Sequence, residues 1–249
     1  MNIAFLVSTT KSYYKESAER VILELQNLGV PATDLFVISS QEDSCSSELY
    51  LNSKVIKVTY TGIHLTPLIY VYDNLLEFKK YTHFCLLHAT SKFGLNFYTK
   101  LINHLTNIKH PIDGLPFNND NGHERTKDMG ILSYDQLKSL KNYLNHIKLE
   151  TYTADSLLSL KTELIFYENL IFGLPPVCGH NQFKPIDLGR TLIAHKGIED
   201  ASNLIIKDIK LNTEVLRETF FPSLDFYKYQ RTFQGFNNIS MNSNGSIPK

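Results

Sequence analysis

Three polar segments of the chain carry most of the side chains that could take part in chemistry. They follow the first, second and fourth predicted strands, at residues 8–12, 39–44 and 88–92. They offer hydroxyls, two carboxylates and an imidazole, from Ser8, Thr9, Glu42, Asp43 and His88. Ligands of an open α/β sheet bind beyond the carboxyl ends of its strands. The spacing therefore predicts that the three segments form one ligand pocket at that edge.

Alternating strand and helix patterns over the first 110 residues must position these segments. Short apolar runs predict strands at residues 3–7, 35–38 and 84–87, and alternation of apolar and polar residues predicts one at 55–60. A helix of this length between successive strands favours parallel pairing with right-handed crossovers. We therefore expect an α/β fold with a mainly parallel central sheet flanked by helices.

Helix patterns separate the predicted strands. The first helix has an apolar face made of Ala18, Val21, Ile22 and Leu25, and Gly29 and Pro31 predict its end. Thr66, as a cap, and Pro67 predict the start of a second helix. Its apolar face is expected to contain Leu68, Tyr72, Leu75 and Leu76. A third amphipathic helix is predicted at residues 96–108.

The second half of the chain is less regular. Residues 111–128 are expected to form a long loop, and residues 129–132 a short strand. Ser133 and Gln136 form a capping box for a helix at 134–148. Further helices are expected at residues 153–172 and in a last piece that ends at 220–222. We predict one domain over residues 1–236 and a disordered polar tail at 237–249.

Composition excludes several classes of protein. The 249 residues contain 25 Lys plus Arg and 25 Asp plus Glu, so the formal net charge is zero. This balance lacks the basic surface of a nucleic-acid-binding protein. No apolar run approaches the ~18 residues of a membrane span. The three cysteines form no CxxC pair, which favours reduced thiols. We therefore expect a cytoplasmic protein with no nucleic-acid partner and no integral membrane segment.

Familiar catalytic motifs are missing from the sequence. It contains no GxGxxG after the first strand, no GxxxxGK[ST], no HExxH and no GxSxG. These absences argue against a dinucleotide-binding Rossmann site and against several classes of hydrolase and nucleotidase. A subtler pattern at the fourth predicted strand carries more information.

Residues 81–90 predict a strand that ends in the polar turn His88-Ala89-Thr90, and Gly94-Leu95-Asn96-Phe97-Tyr98 begins the next helix. This arrangement resembles the central strand of the glycosyltransferase A fold, the architecture of nucleotide-diphospho-sugar transferases. Members of that family carry an acidic DxD-type turn here, and Ala89 stands where the family places a carboxylate. The resemblance covers roughly residues 1–175 and rests on element order and short fragments.

The resemblance implies roles for particular residues. Ser8 and Thr9 would grip the nucleotide, Glu42 and Asp43 would lie near its base and ribose, and His88 and Thr90 would face the diphosphate. Inverting members take their general base from an acidic helix position, for which Glu168 is the best match and Glu163 a neighbour. The expected reaction is transfer of a sugar from a nucleotide-sugar donor to an unknown acceptor.

Ala89 stands at the position where the resemblance implies a carboxylate that binds a divalent metal ion. The family uses Mn²⁺ or Mg²⁺ held by hard oxygen ligands, and alanine supplies none. The diphosphate charge would then be balanced by Lys92, Arg125 or another cation, or transfer has been lost. His180 and His195 are candidates for a C-terminal histidine that some members lend to the metal.

Other interpretations stay open at this point. Ser8, Thr9, Glu42 and Asp43 also fit an ordinary turn and surface loop, and His88 also fits a structural histidine. Glu163 and Glu168 also fit a solvated helix face. At the level of function, the alternatives are a catalytically degenerate binding or assembly module and an unrelated flavodoxin-like or phosphate-binding domain.

Overall fold

The computed structural model describes residues 1–11, 14–108, 112–117, 128–172, 191–193, 214–221 and 224–232. The strands are β1 Ile3–Thr10, β2 Leu35–Ser40, β3 Ser46–Tyr50, β4 Ser53–Lys57, β5 His83–His88, β6 Ser91–Phe93, β7 Gly114–Pro116, β8 Gly130–Ser133, β9 Thr191–Ile193, β10 Glu214–Phe221 and β11 Phe226–Thr232. The helices are α1 Tyr14–Asn27, α2 Thr66–Asp73, α3 Phe97–Asn107, α4 Tyr134–Ser139, α5 Lys141–Ile147 and α6 Ala154–Ile171.

The central sheet has seven strands in the order β3-β4-β2-β1-β5-β8-β7. Its middle is parallel, because β1 pairs with β2 and β5, and β2 pairs with β4. Both flanks are antiparallel, through β3 on β4 and through β8 on β5 and β7. The fold is α/β as expected, but the sheet is mixed. The prediction of a mainly parallel sheet was wrong because it missed β3 and β7 and because β8 pairs antiparallel with β5.

The two faces of the central sheet bury separate apolar clusters. The face that we call the α1 face packs Phe5 and Val7 against α1 and α3. The opposite face, the α2 face, packs Ala4 and Leu6 against α2, α4, α5 and α6. Successive side chains of a strand point to opposite faces, so membership in these clusters shows which way each neighbouring polar residue points.

The first predicted helix is confirmed. Ala18, Val21, Ile22 and Leu25 are all buried in α1, and Gly29 ends the helix with a φ of +98°, which favours glycine. The predicted α2 is present, but Thr66 is its first helical residue and forms no side-chain cap. Its hydroxyl instead accepts from the Gly62 N–H at 2.9 Å. Leu76 lies beyond α2 and is 85% exposed, so its placement on the apolar face was wrong.

Several boundaries in the second half differ from expectation. Ser133 caps α4 by accepting from the Gln136 N–H at 3.0 Å, as predicted. The single helix expected at 134–148 is two short helices, since Leu140 ends α4 and precedes α5. The helix expected before residue 222 is instead β10, which pairs antiparallel with β9 and β11. The loop expected at 111–128 contains strand β7, and residues 118–127 and 237–249 lie outside the described residues.

A second sheet joins the central one through the turn after β5. Its order is β6-β11-β10-β9, and only two residues separate His88 from the start of β6. Phe93, Phe97 and Phe226 pack their rings together beneath this junction. The turn of residues 88–91 is therefore the point at which the chain passes from one sheet to the other. Among the described helices, none is long and apolar enough to cross a bilayer.

Candidate functional site

The carboxyl ends of β1, β2 and β5 lie side by side, as the sequence predicted. Ser8 of β1 is in register with His88 of β5, and Thr9 is in register with Ser39 of β2. Beyond them, the Lys11 N–H bonds the Ser40 carbonyl at 2.9 Å. The polar segments after the three strands therefore share one edge of the sheet.

The single pocket expected there is divided by the sheet itself. The structure extends β1 to Thr10, so Ser8 and Thr9 belong to the strand and not to a loop. Ser8 follows Ala4 and Leu6 onto the α2 face, whereas Thr9 follows Phe5 and Val7 onto the α1 face. A ligand that touched both side chains would have to cross the edge of the sheet. The prediction that they act as one loop was wrong, because the strand is three residues longer than its apolar run.

On the α1 face, an acidic group follows β2. The Ser39 hydroxyl donates to the Glu42 carboxylate at 2.5 Å, and the Glu42 N–H bonds the Val58 carbonyl at 3.0 Å. Gln41, between them, has a φ of +64°, a conformation that costs energy for a residue other than glycine. The loop thus holds Glu42 close to the strand end, and a carboxylate there can accept hydrogen bonds from ligand hydroxyls.

Lys11 and Asp43 form an ion pair at the rim of this region. The pair is exposed, with 48% of the Lys11 and 85% of the Asp43 side chain open to solvent. The hydrogen bond to Asp43, with added attraction from Glu42, raises the pKa of Lys11. An exposed pair of this kind contributes little stability. Lys11 is therefore a cation that an anionic ligand can recruit at small cost.

On the α2 face, His88 lies within a group of polar side chains. Its Nε2 is 3.1 Å from the main-chain oxygen of Asp128, and because a carbonyl can only accept, this nitrogen carries the proton. Nδ1 lies 3.9 Å from the Asp128 carboxylate. The ring of His64 packs against that of His88, with centroids 5.3 Å apart. The His88 ring therefore lies between the Asp128 segment and His64.

His64 is a site residue that the sequence reasoning missed. It lies in the loop before α2, after Ile63, whose φ of +55° is unusual for a β-branched residue. Two threonines hold Ile63 in place. The Ile63 N–H donates to the Thr61 hydroxyl at 3.0 Å, and the Thr66 hydroxyl donates to the Ile63 carbonyl at 2.8 Å. A lone histidine before a helix start offers no pattern by which to find it, since its partner His88 is distant in sequence.

The turn after β5 is held from behind by α1. Arg20 donates to the carbonyl of Ala89 at 2.6 Å and to that of Ser91 at 2.9 Å. Its guanidinium also pairs with Glu24 at 3.0 Å. The Glu24 carboxylate in turn accepts from the Phe93 N–H at 3.3 Å. This network fixes the conformation of residues 89–93, and Thr90 is half-buried at the tip of the turn.

Ala89 supplies no metal ligand, and its side chain is buried in the core. It is 3% exposed and belongs to the apolar cluster of the α1 face, so its side-chain position points into the core. The described residues contain no group of three or more His, Cys, Asp and Glu side chains placed to hold a metal ion. The donor set at this turn, one imidazole beside one carboxylate, does not fit the oxygen-rich shell that Mg²⁺ or Mn²⁺ prefers.

The helix expected at residues 153–172, which carries Glu163 and Glu168, is present as α6. Glu163 pairs with His146 at 3.3 Å, and both side chains are about half exposed, so the solvated-face interpretation holds for Glu163. Glu168 falls in α6 at a position whose side chain is outside the part of the chain that the structure describes. Its role as general base remains a prediction. Arg125, His180 and His195 also lie outside the described residues.

Comparison of the chain with protein-family models, with curated proteins and with solved structures found no match. The class of protein that the fold defines is a mixed α/β protein with a second, antiparallel sheet. Function must therefore be argued from the site.

Proposed function

We propose that the protein binds a nucleotide sugar across the carboxyl edge of β1, β2 and β5 and transfers the sugar to an acceptor. The observation that carries the proposal is the β5–turn–β6 unit. It brings His88 and Thr90 to the strand edge beside Ser8, and Glu42 follows the strand on the other side of β1. The resemblance of residues 81–98 to the central strand, turn and helix start of the glycosyltransferase A fold supports the choice of ligand.

In this proposal, the nucleoside lies over the α1 side of the edge and the diphosphate-sugar lies toward His88. The Glu42 carboxylate would accept hydrogen bonds from ribose hydroxyls. Lys11 would leave Asp43 and balance the diphosphate, because its present ion pair is exposed and weak. Stabilising the charge that develops on the leaving group is the main catalytic need. No step is assigned to a metal, since the residues at the turn do not fit one.

The acceptor hydroxyl needs a base. Glu168 is the predicted group, and the helix that carries it, α6, packs on the α2 face of the sheet, the face of His88. Two substitutions test its role. Glu168→Gln should abolish turnover while binding is kept, whereas Glu163→Gln, the matched change in the surface pair with His146, should leave both unchanged.

Isothermal titration with UDP, GDP, CDP and dTDP sugars tests the binding step. We expect heat from one nucleotide class, weakened by Lys11→Met and by Glu42→Gln. Lys54→Met is the control, because Lys54 forms a similar partly exposed pair with Glu77 elsewhere on the surface and should bind like the wild type. Absence of heat from every sugar nucleotide, with or without Mn²⁺, would contradict the proposal.

A second function, binding without transfer, is favoured by one specific observation. The position of the family's carboxylate is occupied by Ala89 and points into the core. Release of nucleoside diphosphate, measured with the sugar nucleotide that binds, separates the two functions. Binding with no release under any condition would support the binding module. Substituting aspartate at Ala89 is a poor test because it introduces a charge into the core.

A further inference from the structure

A concave site lies at the edge of the central sheet where β1 begins, opposite the carboxyl edge. It is a cavity of about 260 Å³ lined by Ile3, Phe5, Asp34, Tyr81, Tyr98 and Ile102, among others. An apolar cavity of about 150 Å³ holds benzene, and pockets for drug-sized ligands begin near ~300 Å³. The space therefore fits one aromatic ring with a short chain.

One carboxylate gives this cavity its chemical character. Asp34 accepts a hydrogen bond from the Tyr81 hydroxyl at 2.9 Å and lies 3.4 Å from the ammonium of Lys80. That ammonium also lies 4.6 Å from the centroid of the Tyr81 ring. A carboxylate beside an aromatic face is the arrangement that recognises an ammonium group. Lys80 shows where such a group sits.

Lys80 holds this position weakly. Its side chain is 59% exposed, and a long flexible side chain in an exposed pair gains little from it. A ligand that also buries apolar surface would compete well for the same place, because the walls contributed by Phe5, Ile3 and Ile102 are apolar.

The walls of the cavity are already formed. The Asn2 side chain donates to the Lys80 carbonyl at 3.1 Å, and the Asn2 N–H donates to the Thr82 hydroxyl at 3.0 Å. The Tyr81 hydroxyl also lies 3.0 Å from the Thr33 carbonyl. Phe5 and Tyr98 pack edge to face with centroids 5.9 Å apart. Burial and the charge of Asp34 together raise the pKa of Tyr98, so the Tyr98 side chain lies close enough for electrostatic interaction with Asp34.

We propose that this cavity binds a small primary amine that carries one aromatic ring. The ammonium takes the place of Lys80 Nζ between Asp34 and the face of Tyr81, and the ring lies against Phe5 and Tyr98. The site is distinct from the carboxyl edge and does not depend on the function proposed for that edge.

Titration of ¹⁵N-labelled full-length protein with phenethylamine, followed by amide chemical shifts, tests the proposal. We expect shifts at residues 3, 34, 81 and 102, and binding about tenfold weaker for 2-phenylethanol, which has the same shape without the charge. Asp34→Asn should weaken phenethylamine about tenfold and leave 2-phenylethanol unchanged. Lys80→Met should tighten phenethylamine alone, since it removes the internal competitor.

Asp73→Asn is the matched control. Asp73 pairs with Lys148 at 3.1 Å, and that ammonium lies 4.4 Å from the ring of Tyr60, so the same three residue types meet away from the cavity. This variant should bind phenethylamine within twofold of the wild type. The proposal is overturned if the amine and the alcohol bind equally, if Lys80→Met weakens the amine, or if shifts appear at Tyr60 and not at Tyr81. Amide spectra of each variant before titration show that it is folded.

Discussion

Replacing Arg20 with methionine should destabilise the protein and loosen the turn after β5. The Arg20 side chain is 12% exposed, and the side chain of its partner Glu24 is 22% exposed. The Arg20 guanidinium bonds two carbonyls of the turn and one carboxylate. Methionine keeps most of the apolar stem, so the change removes the charge and the hydrogen bonds with little loss of packing.

The magnitude follows from what is left behind. Removing one partner of a buried ion pair costs about 3–5 kcal/mol, and partial exposure of Glu24 places this pair at the lower end. Two turn carbonyls also lose a charged donor, but water can reach a turn more easily than a core. We therefore expect a loss of about 3 kcal/mol in the free energy of unfolding, a large share of the ~5–15 kcal/mol of a typical domain.

Urea unfolding followed by circular dichroism measures the effect. Arg20→Lys should be intermediate, because an ammonium keeps the charge but cannot reach three partners with the geometry of a planar fork. Lys54→Met, which breaks the more exposed pair with Glu77, should cost less than about 1 kcal/mol. If Arg20→Met costs no more than Lys54→Met, the network behind the turn does not hold it and the reasoning fails.

Three further predictions concern packing, a thiol and pH. Gly114→Ala should lower the melting temperature by more than Gly29→Ala. A Cβ at Gly114 would lie 2.4 Å from the main-chain carbonyl of Phe172, and main-chain atoms cannot move away as the end of a flexible side chain can. Equal falls in melting temperature would contradict the prediction. Burial raises the pKa of the Cys85 thiol, so a thiol reagent added to folded protein should label the exposed Cys45 and leave Cys85 unmodified. Mass spectrometry measures the labelling. Rapid labelling of Cys85 would contradict the prediction. Burial lowers the pKa of His83 below its ordinary 6.5, so the unfolded chain binds the proton more tightly and the free energy of unfolding should fall as pH drops below 6.5. The urea midpoint of His83→Gln should fall less steeply than that of the wild type over that range. An unchanged slope would show that His83 does not contribute.

Part of the fold could be predicted from local patterns. The apolar face of α1 and the helix stop at Gly29 were correct, as was the capping of α4 by Ser133, because such features depend on residues within one or two turns. Strand β3 could not be predicted in this way. Four of its five residues are exposed at the edge of the sheet, so it has no apolar run, and only its pairing with β4 defines it.

The candidate site shows the same division. The edge at which the polar segments meet followed from the alternation of strands and helices. The contact of His64 with His88 and the hydrogen bonds of Arg20 to the turn join residues 24 to 71 positions apart, which no local pattern relates. The orientation of Ala89 into the core likewise depends on packing in the tertiary structure.

Local sequence patterns determined α1, α2, α3 and α6 and the apolar strands of the central sheet, since periodicity and end signals are properties of neighbouring residues. Tertiary structure alone decided which face each polar side chain occupies. A strand that continues three residues past its apolar run, as β1 does, sends Ser8 and Thr9 to opposite sides of the sheet. Pairing with β2 sets that length, because it continues to Thr10, whereas pairing with β5 ends at Ser8.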